Sequence, residues 1–114
     1  ADIAAEAVAR AFNRATGNYA SVSGGADNEA SGLQSSVSGG IANVASGERS
    51  SILGGVSNAA SSIHSAISGG AANIVTGEAS AISGGSGLTQ PTAFGWSAGS
   101  LGAGGPYNGP HSSN

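Results

Sequence analysis

The chain has no cysteine and no methionine, one tryptophan, two tyrosines, two phenylalanines, and only three basic and six acidic side chains in 114 residues. Each shortage excludes something. Without cysteine there are no disulfides, no thiolate metal sites and no thiol catalysis. The only bases are Arg10, Arg14 and Arg49 and the formal charge is −3, so the clustered basic footprint that nucleic-acid binding needs is missing. No stretch approaches the roughly 18 apolar residues of a membrane span. The residues after Ala1 lack the basic-then-apolar order of a secretory signal, and a first residue of Ala reads as a processed or excised chain. Charged residues make up 8% of the chain, against about 25% in an ordinary domain, which also separates it from highly charged disordered segments.

Glycine is abundant instead, 21 residues in all, and its placement is periodic. From each Asn the unit reads N-x-A-[ST]-G-x-x-S-[SA]-[VI]-S-G-G-x-x, five times across residues 13–87. Asn13, Asn28, Asn43, Asn58 and Asn73 open the units, and the pairs Gly24-Gly25, Gly39-Gly40, Gly54-Gly55, Gly69-Gly70 and Gly84-Gly85 punctuate them. The departures are few: Ser62 for a Gly, Leu53 for a Ser, Val75 for an Ala. Fifteen residues are too few for a helical repeat, glycine at this density opposes helix, and paired glycines at this interval do not fit the every-third-residue rule of collagen.

Read as columns, the unit describes one coil of a flattened parallel β-solenoid with two short strands and two corners. Val22, Val37, Ile52, Ile67 and Ile82 sit between small residues, the pattern of a strand that points one β-branched side chain inward. Ala15, Ala30, Ala45, Ala60 and Val75 form the facing wall. The Gly pairs end one strand and allow positive φ, and the Asn that follows tolerates such a turn. Stacked coils would also bring the Asn side chains into a ladder of amide hydrogen bonds, so turn residue and ladder are both open for this column. With one Val or Ile and one Ala per coil, the interior is thin. The apolar residues left to face outward, Leu33, Ile41, Val44, Val56, Ile63 and Ile74, favour packing against another chain. A homotrimer is the expected assembly.

The two ends depart from the repeat. Residues 2–14 read as one amphipathic helix with Ile3, Val8 and Phe12 on its apolar side, and residues 1–14 as a capping or assembly element. Beyond Gly87 the register is lost to the eye. Residues 88–114 hold all three prolines together with Phe94, Trp96 and Tyr107, and read as an irregular tail that covers the last coil or joins a neighbouring subunit. No site for catalysis, cofactor or metal is legible. His64 and His111 have no ligand spacing around them, the carboxylates Asp27, Glu29, Glu48 and Glu78 read as solvated, and the serines have no base beside them.

The runs Ala15-Thr16-Gly17-Asn18-Tyr19-Ala20-Ser21-Val22-Ser23-Gly24-Gly25 and Asn28-Glu29-Ala30-Ser31-Gly32, with their repeats, resemble the head repeats of trimeric autotransporter adhesins. The resemblance spans residues 13–87. It implies a left-handed parallel β-roll, three chains about an axis, and display on a bacterial surface for binding host matrix, other cells or abiotic surfaces. The family's coiled-coil stalk and membrane anchor have no counterpart in these residues. The expected function is therefore a non-enzymatic extracellular or cell-surface adhesin or fibre head, with no cofactor, nucleic acid or membrane span. A self-assembling filament or phage (virion) fibre subunit, joined end to end through helix and tail, is the alternative. An ice-binding solenoid is a more remote one, suggested by the hydroxyl residues of the strands and opposed by Leu53, Ala66 and Ala81 within them.

Overall fold

A computed structural model of the chain describes residues 12–100 and 106–107. They form an all-β parallel solenoid of six coils with a 15-residue repeat. The first three coils contribute Arg14–Ala15 (β1) and Ser21–Val22 (β2), Glu29–Ala30 (β3) and Ser36–Val37 (β4), and Val44–Ala45 (β5) and Ser51–Ile52 (β6). The next three contribute Ala59–Ala60 (β7) and Ala66–Ile67 (β8), Ile74–Val75 (β9) and Ala81–Ile82 (β10), and Thr89–Gln90 (β11) and Trp96–Ser100 (β12), after which comes Pro106–Tyr107 (β13). The odd strands β1 to β11 stack as sheet A; the even strands with β13 make sheet B. Within the solenoid each strand pairs in parallel with its equivalent one coil away, Arg14 beside Glu29 and Ile82 beside Ser97. Single bridges through Ala26, Ile41, Val56, Ala71 and Ser86 add a narrow third side.

The two-residue strands follow from the sequence. In each pair the second residue points inward, and Val37, Ile52, Ile67 and Ile82 form one fully buried column against Ala30, Ala45, Ala60 and Val75. At the first coil the same columns are open, with Ala15 exposed and Val22 half-buried, because no described coil lies beneath them.

Three expectations need correction. The solenoid has a sixth coil, so residues 88–114 are not wholly irregular. The consensus fails there because Leu88, Gln90 and Ser97 replace the Asn, the Ala and the Val or Ile, while backbone pairing onto β9 and β10 keeps the register. Leu88, Gln90 and Ser97 are buried, and Gln90 Nε2 donates to Ser97 Oγ at 2.5 Å, closing the apolar core with a hydrogen-bonded pair. The tail's β13 then pairs antiparallel with β12, Ala98 opposite Tyr107.

The helix read over residues 2–14 does not extend to its end: Asn13 belongs to the first coil and Arg14 begins β1. The remainder of that reading, with Ile3 and Val8, lies outside the described residues. No helix occurs among the described residues.

The turns also differ from expectation. Only the second glycine of each pair has positive φ, from 84° at Gly25 to 124° at Gly85. The left-handed residue beside the ladder is not the Asn but the residue before it, Asp27, Ala42, Ser57 or Ala72, and the second corner places Tyr19, Gln34, Arg49, His64, Ala79 and Phe94 in the same region. Stacking enforces these conformations: the N–H of Ala42 reaches Ala26 O at 2.9 Å and that of Arg49 reaches Leu33 O at 2.7 Å, each one coil back.

Candidate functional site

The most ordered polar feature is internal. Asn28, Asn43, Asn58 and Asn73 are fully buried, and Asn13 stands below them, half-buried, at the open end. Each Oδ1 accepts the backbone N–H of the residue fifteen positions on, at 3.0 Å for Asn13 to Asn28 and 2.9 Å for Asn28 to Asn43, Asn43 to Asn58 and Asn58 to Asn73. The Nδ2 of Asn43 donates to Asn28 Oδ1 at 3.1 Å and to Gly39 O at 3.1 Å, both in the preceding coil, and to Gly55 O of its own coil at 2.9 Å, while its Oδ1 takes the Asn58 N–H of the next. One side chain therefore ties three successive coils together. The ladder ends where Leu88 gives its N–H to Asn73 Oδ1 at 2.9 Å and supplies no amide of its own. Between the two readings of this column, the ladder is the one observed.

A second buried column, to which the sequence reading gave no role, consists of Ser35, Ser50, Ser65 and Ser80. Their hydroxyls donate to the carbonyls three residues earlier, Ser35 to Gly32 and Ser50 to Gly47 at 2.7 Å, and close the second corner. The signal was present: serine at position eight of the unit in four of five copies, directly after two variable positions. Among the described residues, no buried side-chain N or O lacks a partner.

The outside carries the apolar positions singled out from sequence. Ile41 is 52% and Val56 46% exposed on the narrow third side; Leu33 and Ile63 are exposed at the second corner; Ile74 is exposed and Val44 half-buried on sheet A. They occupy three different columns and are not gathered into one patch by the fold. Leu53, 60% exposed on sheet B, belongs with them and was seen from sequence only as a departure from Ser. Phe12 and Phe94 are exposed and Trp96 is half-buried, its Nε1 donating to Ser83 Oγ at 2.6 Å; Tyr107 lies in β13.

The charges are segregated. In the repeat they are Arg14 and Glu29 on sheet A, Asp27 at the first corner, and Glu48, Arg49 and Glu78 at the second. Exposed Arg49 donates through Nε to Gln34 Oε1 at 3.0 Å and lies with Nη1 3.2 Å from His64 Nε2. Because guanidinium only donates, this contact uses His64 Nε2 as acceptor. Among the described residues, no three His, Cys, Asp or Glu side chains are placed to hold a metal ion, and no helix is long and apolar enough to cross a membrane. A search of family models, of curated proteins and of solved structures finds no match to the chain.

Proposed function

We propose that this chain is a non-catalytic structural and adhesive protein, a β-solenoid that acts as an assembly of copies, with a homotrimer as the working unit and an extracellular or cell-surface setting. The observation that carries the reading is the repeated exposure of Ile41, Val56, Leu33, Ile63 and Ile74 on a solenoid whose apolar interior is only two side chains wide, Val or Ile against Ala in most coils. Apolar columns on such a thin body gain most by being covered by another chain. Resemblance of the repeat to trimeric adhesin heads supports the stoichiometry and a left-handed coil. Surface adhesion, to matrix, cells or abiotic material, is the activity that goes with it. The test is the mass in solution by light scattering coupled to size exclusion. The expected value is about three times the 10.6 kDa of one chain, and a single-chain mass at all concentrations would remove the reading. Binding of fluorescently labelled protein to matrix-coated and bare surfaces then tests adhesion.

A second reading, end-to-end assembly into a filament, is favoured by the open first coil, where β1 and β2 have no outer neighbour among the described residues. At the other end β13 lies antiparallel on β12, which opposes continuation of sheet B by an incoming parallel strand. Negative-stain microscopy distinguishes the two: long fibres support the filament, discrete short particles the head.

A further inference from the structure

The proposed self-association leaves open which surface copies share. We propose that they pack through the outer face of sheet B and the Gly-Gly corner beside it, with a second copy of this chain as the occupant. The inference rests on the self-association reading and adds the interface to it.

Charge separates this face from the others. Residues 20–26, 35–41, 50–56, 65–71, 80–86 and 95–100 comprise the even strands and the glycine corner, and contain no Asp, Glu, Lys, Arg or His. The described charges lie on sheet A and at the second corner, except Asp27, which stands at the sheet A end of the glycine corner in one coil. The outward positions of sheet B are Ser21, Ser36, Ser51, Ala66, Ala81 and Trp96 in one column and Ser23, Ser38, Leu53, Ser68, Ser83 and Ala98 in the other, so the face is small along its first five coils and aromatic at its last. Such a face offers a charged partner nothing and meets a copy of itself without desolvating an ion.

The glycine corner supplies a separate observation. A Cβ added to Gly25, Gly40, Gly55 or Gly70 would collide with the carbonyl of the next coil, and their φ values are left-handed, so the chain itself requires glycine there. Neither reason applies to Gly24, Gly39, Gly54, Gly69 and Gly84. A Cβ on any of them would meet nothing within 4 Å, and none has positive φ. Glycine in all five copies where the fold leaves open space points to an approach from outside the chain. Around the middle of this column stand Leu53, Val56 and Ile41, with Ile41 and Val56 bridged across adjacent coils. The partner is also set by period: sheet B presents its small side chains once per coil, about 4.8 Å apart along the axis, and a second copy is a surface with that same spacing. Small residues on both faces let the backbones come close, so the apolar corner residues are covered.

Because the chain has no native cysteine, one introduced thiol reports its own site. Ser38→Cys is on sheet B and Ser46→Cys on sheet A, both at exposed positions. In the wild-type-sized assembly the thiol at position 38 is expected to react with a maleimide at least about tenfold more slowly than that at 46, as a thiol withdrawn from water does. The double variant Ser38→Asp, Ser68→Asp is expected to run at the 10.6 kDa of one chain with an unchanged far-UV circular dichroism spectrum, whereas Ser31→Asp, Ser46→Asp keeps the assembled mass. An assembled protein whose position 38 labels as fast as 46, or whose mass survives the sheet B charges, overturns this interface and leaves self-association standing. A monomeric parent chain overturns both.

Discussion

Asn43 Oδ1 accepts the backbone N–H of Asn58 at 2.9 Å and the Asn58 Nδ2 at 3.0 Å, so that an amide in one coil satisfies the main chain of the next. The backbone bond recurs along the whole column and the amide-to-amide bond from Asn13 to Asn58, and with the buried serines of the second corner they make the interior of this solenoid polar along its edges and aliphatic along its middle. The polar edge is as fully satisfied as the core is fully buried.

Replacement Asn43→Ala should therefore be among the most damaging single changes. It leaves the Asn58 N–H and the Gly55 carbonyl without their side-chain partner inside the protein, a loss of about 3 kcal/mol or more. Asn18→Ala, at an exposed corner position, should stay within about 0.5 kcal/mol. Thermal unfolding followed by far-UV circular dichroism compares the two, and equal melting temperatures would contradict the role given to the ladder.

The two glycines of one pair should behave oppositely. Gly40 has φ 94°, and a Cβ there would strike Gly55 O and lie 2.5 Å from Asn43 Nδ2. Gly40→Ala is expected to cost about 3 kcal/mol or more, because both the left-handed backbone and the coil spacing resist it. Gly39→Ala has open space and no such backbone within its own chain, and in the single-chain Ser38→Asp, Ser68→Asp background, where no copy approaches this glycine, should change stability by less than about 1 kcal/mol. Chemical denaturation of both variants at one fixed protein concentration reads the difference.

Ile52 stacks between Val37 and Ile67 in the middle of the core, fully buried. Ile52→Ala should cost about 2–5 kcal/mol, and Ile52→Asp should unfold the central coils by burying a carboxylate with no partner. The neighbouring Leu53→Ser, at an exposed outward position, should leave the coil folded. Amide hydrogen exchange localises the damage: loss of protection confined to Ala30–Ile82 for Ile52→Asp is the expected pattern.

Ala72 holds φ 57° beside the ladder. Ala72→Val should lower stability by about 1 kcal/mol or more, since a β-branched residue is strained in this region, while Ala72→Gly should be neutral or stabilising by up to about 1 kcal/mol. A melting temperature for Ala72→Val above that of Ala72→Gly would argue against the turn geometry.

The periodic columns by themselves determined most of the architecture. A fifteen-residue period from each Asn, each Val or Ile and each Gly pair to its next copy leaves room only for a short-coil parallel solenoid, and the inward columns were readable because repetition within one chain shows which positions admit only small or only aliphatic side chains. The outward apolar positions, Ile41 and Val56 among them, were legible by the same reasoning. Three features were decided only by the tertiary structure. Stacking through the backbone carries the register into Leu88–Ser100, where the side-chain signature that identified the repeat has vanished, because the hydrogen bonds of a parallel sheet do not depend on side-chain identity. The hydrogen bonds of the folded coils decided for the ladder in the Asn column, where turn residue and ladder were both open, and gave Ser35, Ser50, Ser65 and Ser80 a corner carbonyl each. The unequal duty of the two glycines in each pair depends on how close the next coil comes, a distance between residues fifteen apart that only the folded coil sets.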